Sequence, residues 1–224
     1  MAHPDISWIA ALNQLTAGFF LLCSFGLIAA AQVTGCIRFY VLQSLLLACS
    51  AVLLGIRDHS TDLFIAAGIY IAAKVILIPL LLKRTARQEM IARRELSQVI
   101  GVPSSLLIAL GLTLVAYYIA LPLTIHAGGG ARTNLPIGLA AVLIAVYTIT
   151  VRREALPQML SLLAIENGAF FAGDAIAPAF PLIGELAGTF DVLMIVLVLG
   201  VLSTQVHRSL GNTAVGSLSQ LGEE

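Results

Sequence analysis

Residues 156–175 read LPQMLSLLAIENGAFFAGDA, a nearly unbroken apolar run with Glu166 close to its middle. Twenty helical residues at 1.5 Å each extend about 30 Å, the thickness of a bilayer's hydrocarbon core. The apolar positions are continuous rather than alternating, which is not the pattern of a barrel strand. The stretch is therefore a membrane helix that carries a carboxylate at bilayer depth. Asp174, near its outer end, reads as a solvated loop residue.

The rest of the chain agrees with this reading. Of 224 residues, 59% are hydrophobic and 11% charged. Twelve basic residues balance twelve acidic ones, and the mean hydropathy is +0.98. A soluble domain carries about 25% charged residues. So little charge excludes a water-soluble domain, and so much apolar surface excludes disorder. Nucleic-acid binding is excluded as well, because no basic excess exists to neutralise phosphates. An all-α, polytopic membrane helix bundle remains.

Seven spans of suitable length follow from the apolar runs: 8–32, 39–56, 63–82, 104–125, 135–151, 156–175 and 182–205. The first is too long for a signal peptide and lacks a basic leading segment, since residues 1–7 contain neither Lys nor Arg. Basic residues sort by side. Arg38, Lys83, Arg84, Arg87, Arg93, Arg94, Arg152, Arg153 and Arg208 fall on one side, and only Arg57 and Arg132 on the other. The positive-inside rule then puts the N-terminus outside and the C-terminus in the cytoplasm of a cell inner membrane.

Between the third and fourth spans lies a basic, amphipathic cytoplasmic connection, 83–103. It reads either as a solvated helix extending the third span or as a docking element for a cytoplasmic partner. Sliding the chain on itself by 117 residues superposes Ser44-Leu45-Leu46 on Ser161-Leu162-Leu163 and Lys74-Val75 on Asp191-Val192 without a gap. This points to two parallel three-helix repeats, about 8–82 and 135–205. The span 104–125 joins them, and a cytoplasmic tail, 206–224, follows. All belong to one integral membrane domain.

Several chemistries lack their residues. Cys23, Cys36 and Cys49 form no CxxC pattern, and His3, His59, His126 and His207 fall at or beyond span ends. Iron–sulfur and intramembrane haem ligation are thus not offered. Phosphate-binding, dinucleotide and HExxH motifs are also missing. We expect no catalytic residue, no metal and no cofactor in this chain. Gly128-Gly129-Gly130 reads as a flexible outer loop.

What remains are the charges inside the spans. Glu166, Lys74 and Asp191 lie eight or nine residues from the cytoplasmic ends of their spans, hence about 12–14 Å deep. Being level, they are placed to interact. One reading is a buried ion pair that fixes the helices. The other is a proton relay, because loss of water pushes carboxylates and lysines towards their neutral forms and makes both exchangeable. Intramembrane charges are functional by default, and Glu166 is the favoured relay group. Glu185, between Gly184 and Gly188 in a small-xxx-small pattern, reads as an outer proton group or an interfacial residue. Pro79 removes a backbone donor from the carbonyl of Val75, which either loosens the helix around Lys74 or simply kinks it.

The stretch Gln158-x-x-Ser161-Leu162-Leu163-Ala164-Ile165-Glu166-Asn167-Gly168-Ala169-Phe170-Phe171, followed by Glu185 and Phe190-Asp191-Val192-Leu193, resembles the hydrogenase-4 component E family. These are membrane subunits of group 4 nickel–iron hydrogenases and formate hydrogenlyase-type complexes, akin to a duplicated K-type subunit of complex I. The resemblance implies a non-catalytic subunit of an energy-converting oxidoreductase. It would contribute to proton translocation and join the redox module to antiporter-like membrane subunits within the lipid bilayer. Glu166 would be the central relay group, with Asp191, Lys74 and Glu185 assisting, while Asn167, Gly168, Gly184 and Gly188 pack helices. Cys49 occupies the place of Glu166 in the first repeat. A stand-alone secondary transporter and a purely structural membrane anchor are the alternatives.

Overall fold

The computed structural model describes residues 4–80, 100–125 and 128–176. They form six helices, and among the described residues there is no strand. The helices are α1 (Pro4–Ala29), α2 (Val33–Asp58), α3 (Thr61–Tyr70, continued by a π-helical segment Ile71–Leu77), α4 (Val102–Thr124), α5 (Gly129–Val151) and α6 (Ala155–Ile176). Each is long and apolar enough to cross a membrane, with α3 reaching Leu80. The chain is a multi-pass membrane helix bundle. The expected seventh span, 182–205, lies outside the described residues, as do residues 83–99 of the amphipathic connection.

Several boundaries differ from the sequence reading. Helix α2 starts at Val33 rather than 39, so Arg38 is a helical residue. Helix α4 takes up residues 102 and 103, with Gly101 as its N-cap and Pro103 in its first turn, where a missing N–H costs nothing. The glycine run is not a loop. Gly128 caps α5, and Gly129 and Gly130 form its first turn. A Cβ on Gly130 would stand 2.5 Å from Nη1 of Arg57 and 2.7 Å from a Leu54 methyl. Close packing on α2, rather than loop freedom, accounts for that glycine.

Helices α1, α2, α5 and α6 form the centre. Helix α1 packs on α2 and α5, α2 on α6, and α5 on α6. The pairs equated by the 117-residue offset, α1 with α5 and α2 with α6, therefore lie against one another. Helix α3 packs on α2, and α4 lies outermost on α5 and α1. Helices α5 and α6 approach main chain to main chain, where a Cβ on Gly138 would meet the carbonyl oxygen of Gly168 at 2.6 Å. Helices in lipid gain little from apolar burial alone, so close backbone contact and interhelical hydrogen bonds hold them together.

Two polar networks supply those bonds. In one, Asn13 donates to Asn134 at 2.8 Å, Asn134 donates to Ser50, and the Ser50 hydroxyl returns to Asn13. This closes a ring across α1, α2 and α5. In the other, Asn167 on α6 donates to Ser44 and Gln43 on α2, and Gln43 donates to Ser24 on α1. Each such bond contributes about 0.6 kcal/mol, at most about 2.

Arg152 shows that position in a loop does not fix a residue's role. It follows the last residue of α5 yet is 2% exposed. Its Nη2 donates to the carbonyls of Leu27, Ile28 and Ala30, at and just past the end of α1, where helical N–H partners run out. Burial lowers its pKa from the ordinary guanidinium value, but an arginine stays protonated in proteins. Arg152→Met should lower stability by about 2 kcal/mol by removing its bonds to those carbonyls. Thermal unfolding in detergent reads the effect, and a variant as stable as the parent contradicts the capping role.

Candidate functional site

Helix α3 leaves ordinary α geometry one residue after Tyr70, and the π segment Ile71–Leu77 follows. Pro79 provides a local cause, since it cannot donate to the carbonyl of Val75. Just before it, the Ile78 N–H bonds the carbonyl of Ala73, five residues back. Such insertions recur at functional sites. This one contains Lys74.

Lys74 is fully buried, and its Nζ lies 3.3 Å from Oε1 of Glu166, itself 6% exposed. The ammonium also stands 4.7 Å from the ring centre of Phe170 and 5.6 Å from that of Tyr70. Desolvated cation–π contacts of this kind are worth about 2 kcal/mol. The two rings lie 5.6 Å apart. One neighbour further along α6, Phe171 stacks on Phe20 of α1 at 4.1 Å and fixes the helix rotation.

Asp174 belongs to the same face, which corrects the sequence reading. It is a helical residue of α6, 1% exposed, and the Tyr70 hydroxyl donates to both its oxygens at 3.2 and 3.3 Å. The bundle extends beyond it, because Leu54, Leu63, Ala131 and Ala175 pack together at this end. A loop reading fails because α2, α3 and α5 enclose that turn of α6. The spacing carries the missed signal. Glu166, Phe170 and Asp174 follow at intervals of four, as do Tyr70 and Lys74, so each set lies along one helix face.

Adjacent positions on α6 serve different neighbours. Glu166 faces α3, while Asn167 reaches α2 and bonds Ser44 at 2.9 Å. The Oδ1 of Asn167 is buried and accepts no hydrogen bond among the described residues. Gly168 meets α5, where a Cβ would stand 2.8 Å from the carbonyl oxygen of Gly138. Cys49, at the position equated with Glu166, is exposed on α2. The equivalent point in the first half thus faces out of the bundle. Asp191, Glu185, Gly184 and Gly188 lie outside the described residues. Among those described, no group of three His, Cys, Asp or Glu residues is placed to hold a metal.

The arrangement is a buried row of titratable groups along the α3–α6 seam. A carboxyl group, an amine and a phenol in such a row are able to take up, release and exchange protons.

The chain is 34% identical over 211 residues to the uncharacterized protein Rv0085 of Mycobacterium tuberculosis, covering 94% of this chain and 96% of that one. It is 25% identical over 212 residues to hydrogenase-4 component E of Escherichia coli and of Shigella flexneri, at the same coverage. No family model matches the chain, and no solved structure matches it significantly. The chain belongs to one family with the uncharacterized protein Rv0085 of Mycobacterium tuberculosis, and its similarity to hydrogenase-4 component E is more distant.

Proposed function

We propose that this protein is a non-catalytic membrane subunit of a hydrogenase-4-like energy-converting oxidoreductase, and that Glu166 with Lys74 relays protons within it. The observation that carries this reading is the buried ion pair at 3.3 Å between α3 and α6. Two opposite charges removed from water are held only by each other and by hydrogen bonds, and replacing them with apolar residues is often neutral or stabilising. A carboxylate and an amine brought into contact at bilayer depth, beside a π-helical turn, form a group able to take up and pass on a proton.

The similarity to hydrogenase-4 component E supports a place in a multisubunit membrane assembly. In the proposed assembly the subunit joins the redox module to antiporter-like membrane subunits, as in complex I-like and formate hydrogenlyase-type machines. We place it in the cell inner membrane with its N-terminus outside. Asp191 and Glu185 continue the relay into the last span.

Glu166→Gln in the assembled complex tests the role. The glutamine keeps size and hydrogen bonding but cannot carry the proton, so proton translocation should fall at least tenfold while the complex still assembles. Unchanged translocation would sink the relay. Loss of assembly would instead favour a structural anchor, in which the ion pair only ties α3 to α6.

A further inference from the structure

We propose that the α3–α6 cluster holds one exchangeable proton shared between two carriers, Glu166 and Asp174, with Tyr70 and Lys74 standing between them. This deepens the relay reading of Glu166 and rests on it.

The inference comes from charge and burial. Within the cluster, Glu166 and Asp174 are buried carboxyl groups and Lys74 is a buried ammonium. Two carboxylates against one ammonium leave one negative charge in a low-dielectric interior, which is costly. The span not described, 182–205, contains Glu185 and Asp191 but neither Lys nor Arg. It therefore supplies no cation to offset that charge, and its two acidic residues can only add to the excess of carboxyl groups. Among the residues whose side chains are described, the other charged or titratable groups of that end are Arg57, Asp58 and His59 on and after α2, Asp62 on α3 and Arg132 on α5. All are exposed or half-exposed, and Arg57 pairs with Asp58 at 2.7 Å. One proton on either carboxyl group makes the buried cluster neutral.

Geometry assigns the second carrier. Tyr70 touches both sides, since its ring lies beneath Lys74 and its hydroxyl donates to Asp174. Asp174 and Glu166 are eight residues apart on one helix, hence about 12 Å along the axis. In one state Asp174 carries the proton and Glu166 is the anion beside Lys74. In the other, an O–H bond has broken at Asp174 and one has formed at Glu166. Asp174 is then the anion held by the Tyr70 hydroxyl, with Lys74 as its counter-charge. The cluster is neutral in both states, and Lys74 is an ammonium in each of them. Asp174 stands nearer the end where α3 and α5 begin, so it is the carrier that meets protons arriving from that side.

The test is infrared spectroscopy of the full chain in lipid vesicles, comparing the parent with Asp174→Asn, Glu166→Gln and Tyr70→Phe at neutral pH. The parent should show the C=O stretch of a protonated, buried carboxyl group, sensitive to deuterium exchange. Removing either carboxyl group leaves one carboxylate with one ammonium in the cluster, so each of the first two variants should lose the component of that band that the pair contributes. A band untouched by Asp174→Asn overturns the proposal, and so does its absence from the parent. Should Asp174→Asn fail to fold, Tyr70→Phe decides, because loss of the hydroxyl must shift the band and an unshifted band overturns the assignment. Unchanged spectra together with lost translocation in Glu166→Gln would leave the relay and refute the second carrier. Altered spectra with normal translocation would do the reverse.

Discussion

Lys74→Met should destabilise the bundle by about 3–5 kcal/mol, the usual consequence of removing one partner from a buried ion pair. The methionine fills most of the space, so packing against Phe170 and Tyr70 changes little. What is lost is the only cation among the described residues of the α3–α6 seam. Glu166 and Asp174 are then left as two buried carboxyl groups, and both must take up protons for the fold to persist. A cation–π contribution over Phe170 disappears with the charge. The double variant Lys74→Met, Glu166→Gln should recover most of the stability, because no unpaired charge of that pair remains. It should still fail to move protons. Unfolding in detergent, followed by circular dichroism against an added denaturing surfactant, gives the four corners of the cycle. A single variant costing under about 1 kcal/mol, with no gain in the double, would show that the pair carries little charge in the folded state.

Much of this seam was legible in the sequence, and the reasons are physical. A charge inside twenty apolar residues stands out, because hydrocarbon offers no solvent to absorb it. Glu166 and Lys74 were visible for that reason, and their similar depths anticipated the contact. Pro79 signalled a disturbance of α3, although a proline alone does not say whether the helix kinks or widens into a π turn. Asp174 is not recognisable as a buried residue from sequence because it lies near the end of its apolar run, next to Gly173, where helix and loop compositions look alike. Only the neighbouring helices decide whether that last turn is covered. Arg152 looks like a loop charge in sequence for the same reason, since its burial depends on the end of α1 arriving from far away in the chain. The glycines at 128–130 show the opposite error. Their composition suggests freedom, and the structure uses them for contact.

Gly138→Leu should disrupt the bundle more than any other single replacement on α5, and should do so through backbone contacts. A Cβ at this position would stand 2.6 Å from the carbonyl oxygen of Gly168 and 2.8 Å from both the backbone nitrogen and the Cβ of Ala172. Real Cβ contacts do not reach such distances, and a backbone atom cannot turn aside as a side chain does. Helices α5 and α6 would have to separate or slide. Overpacking typically costs about 1–3 kcal/mol even where side chains can adjust; here a leucine meets main chain on both sides, so about 3 kcal/mol is the lower expectation. The displacement matters beyond stability. Gly168 follows Glu166 by two residues, so moving that turn of α6 also moves the carboxylate away from Lys74 and withdraws Asn167 from Ser44. Gly138→Ala should produce the same effects in weaker form. Measured side by side, the two variants should show stability, the infrared band of the buried carboxyl group and proton translocation declining in the same order. If Gly138→Leu folds as stably as the parent and leaves that band in place, the α5–α6 contact does not position the seam. The relay would then depend on α3 and its π turn alone.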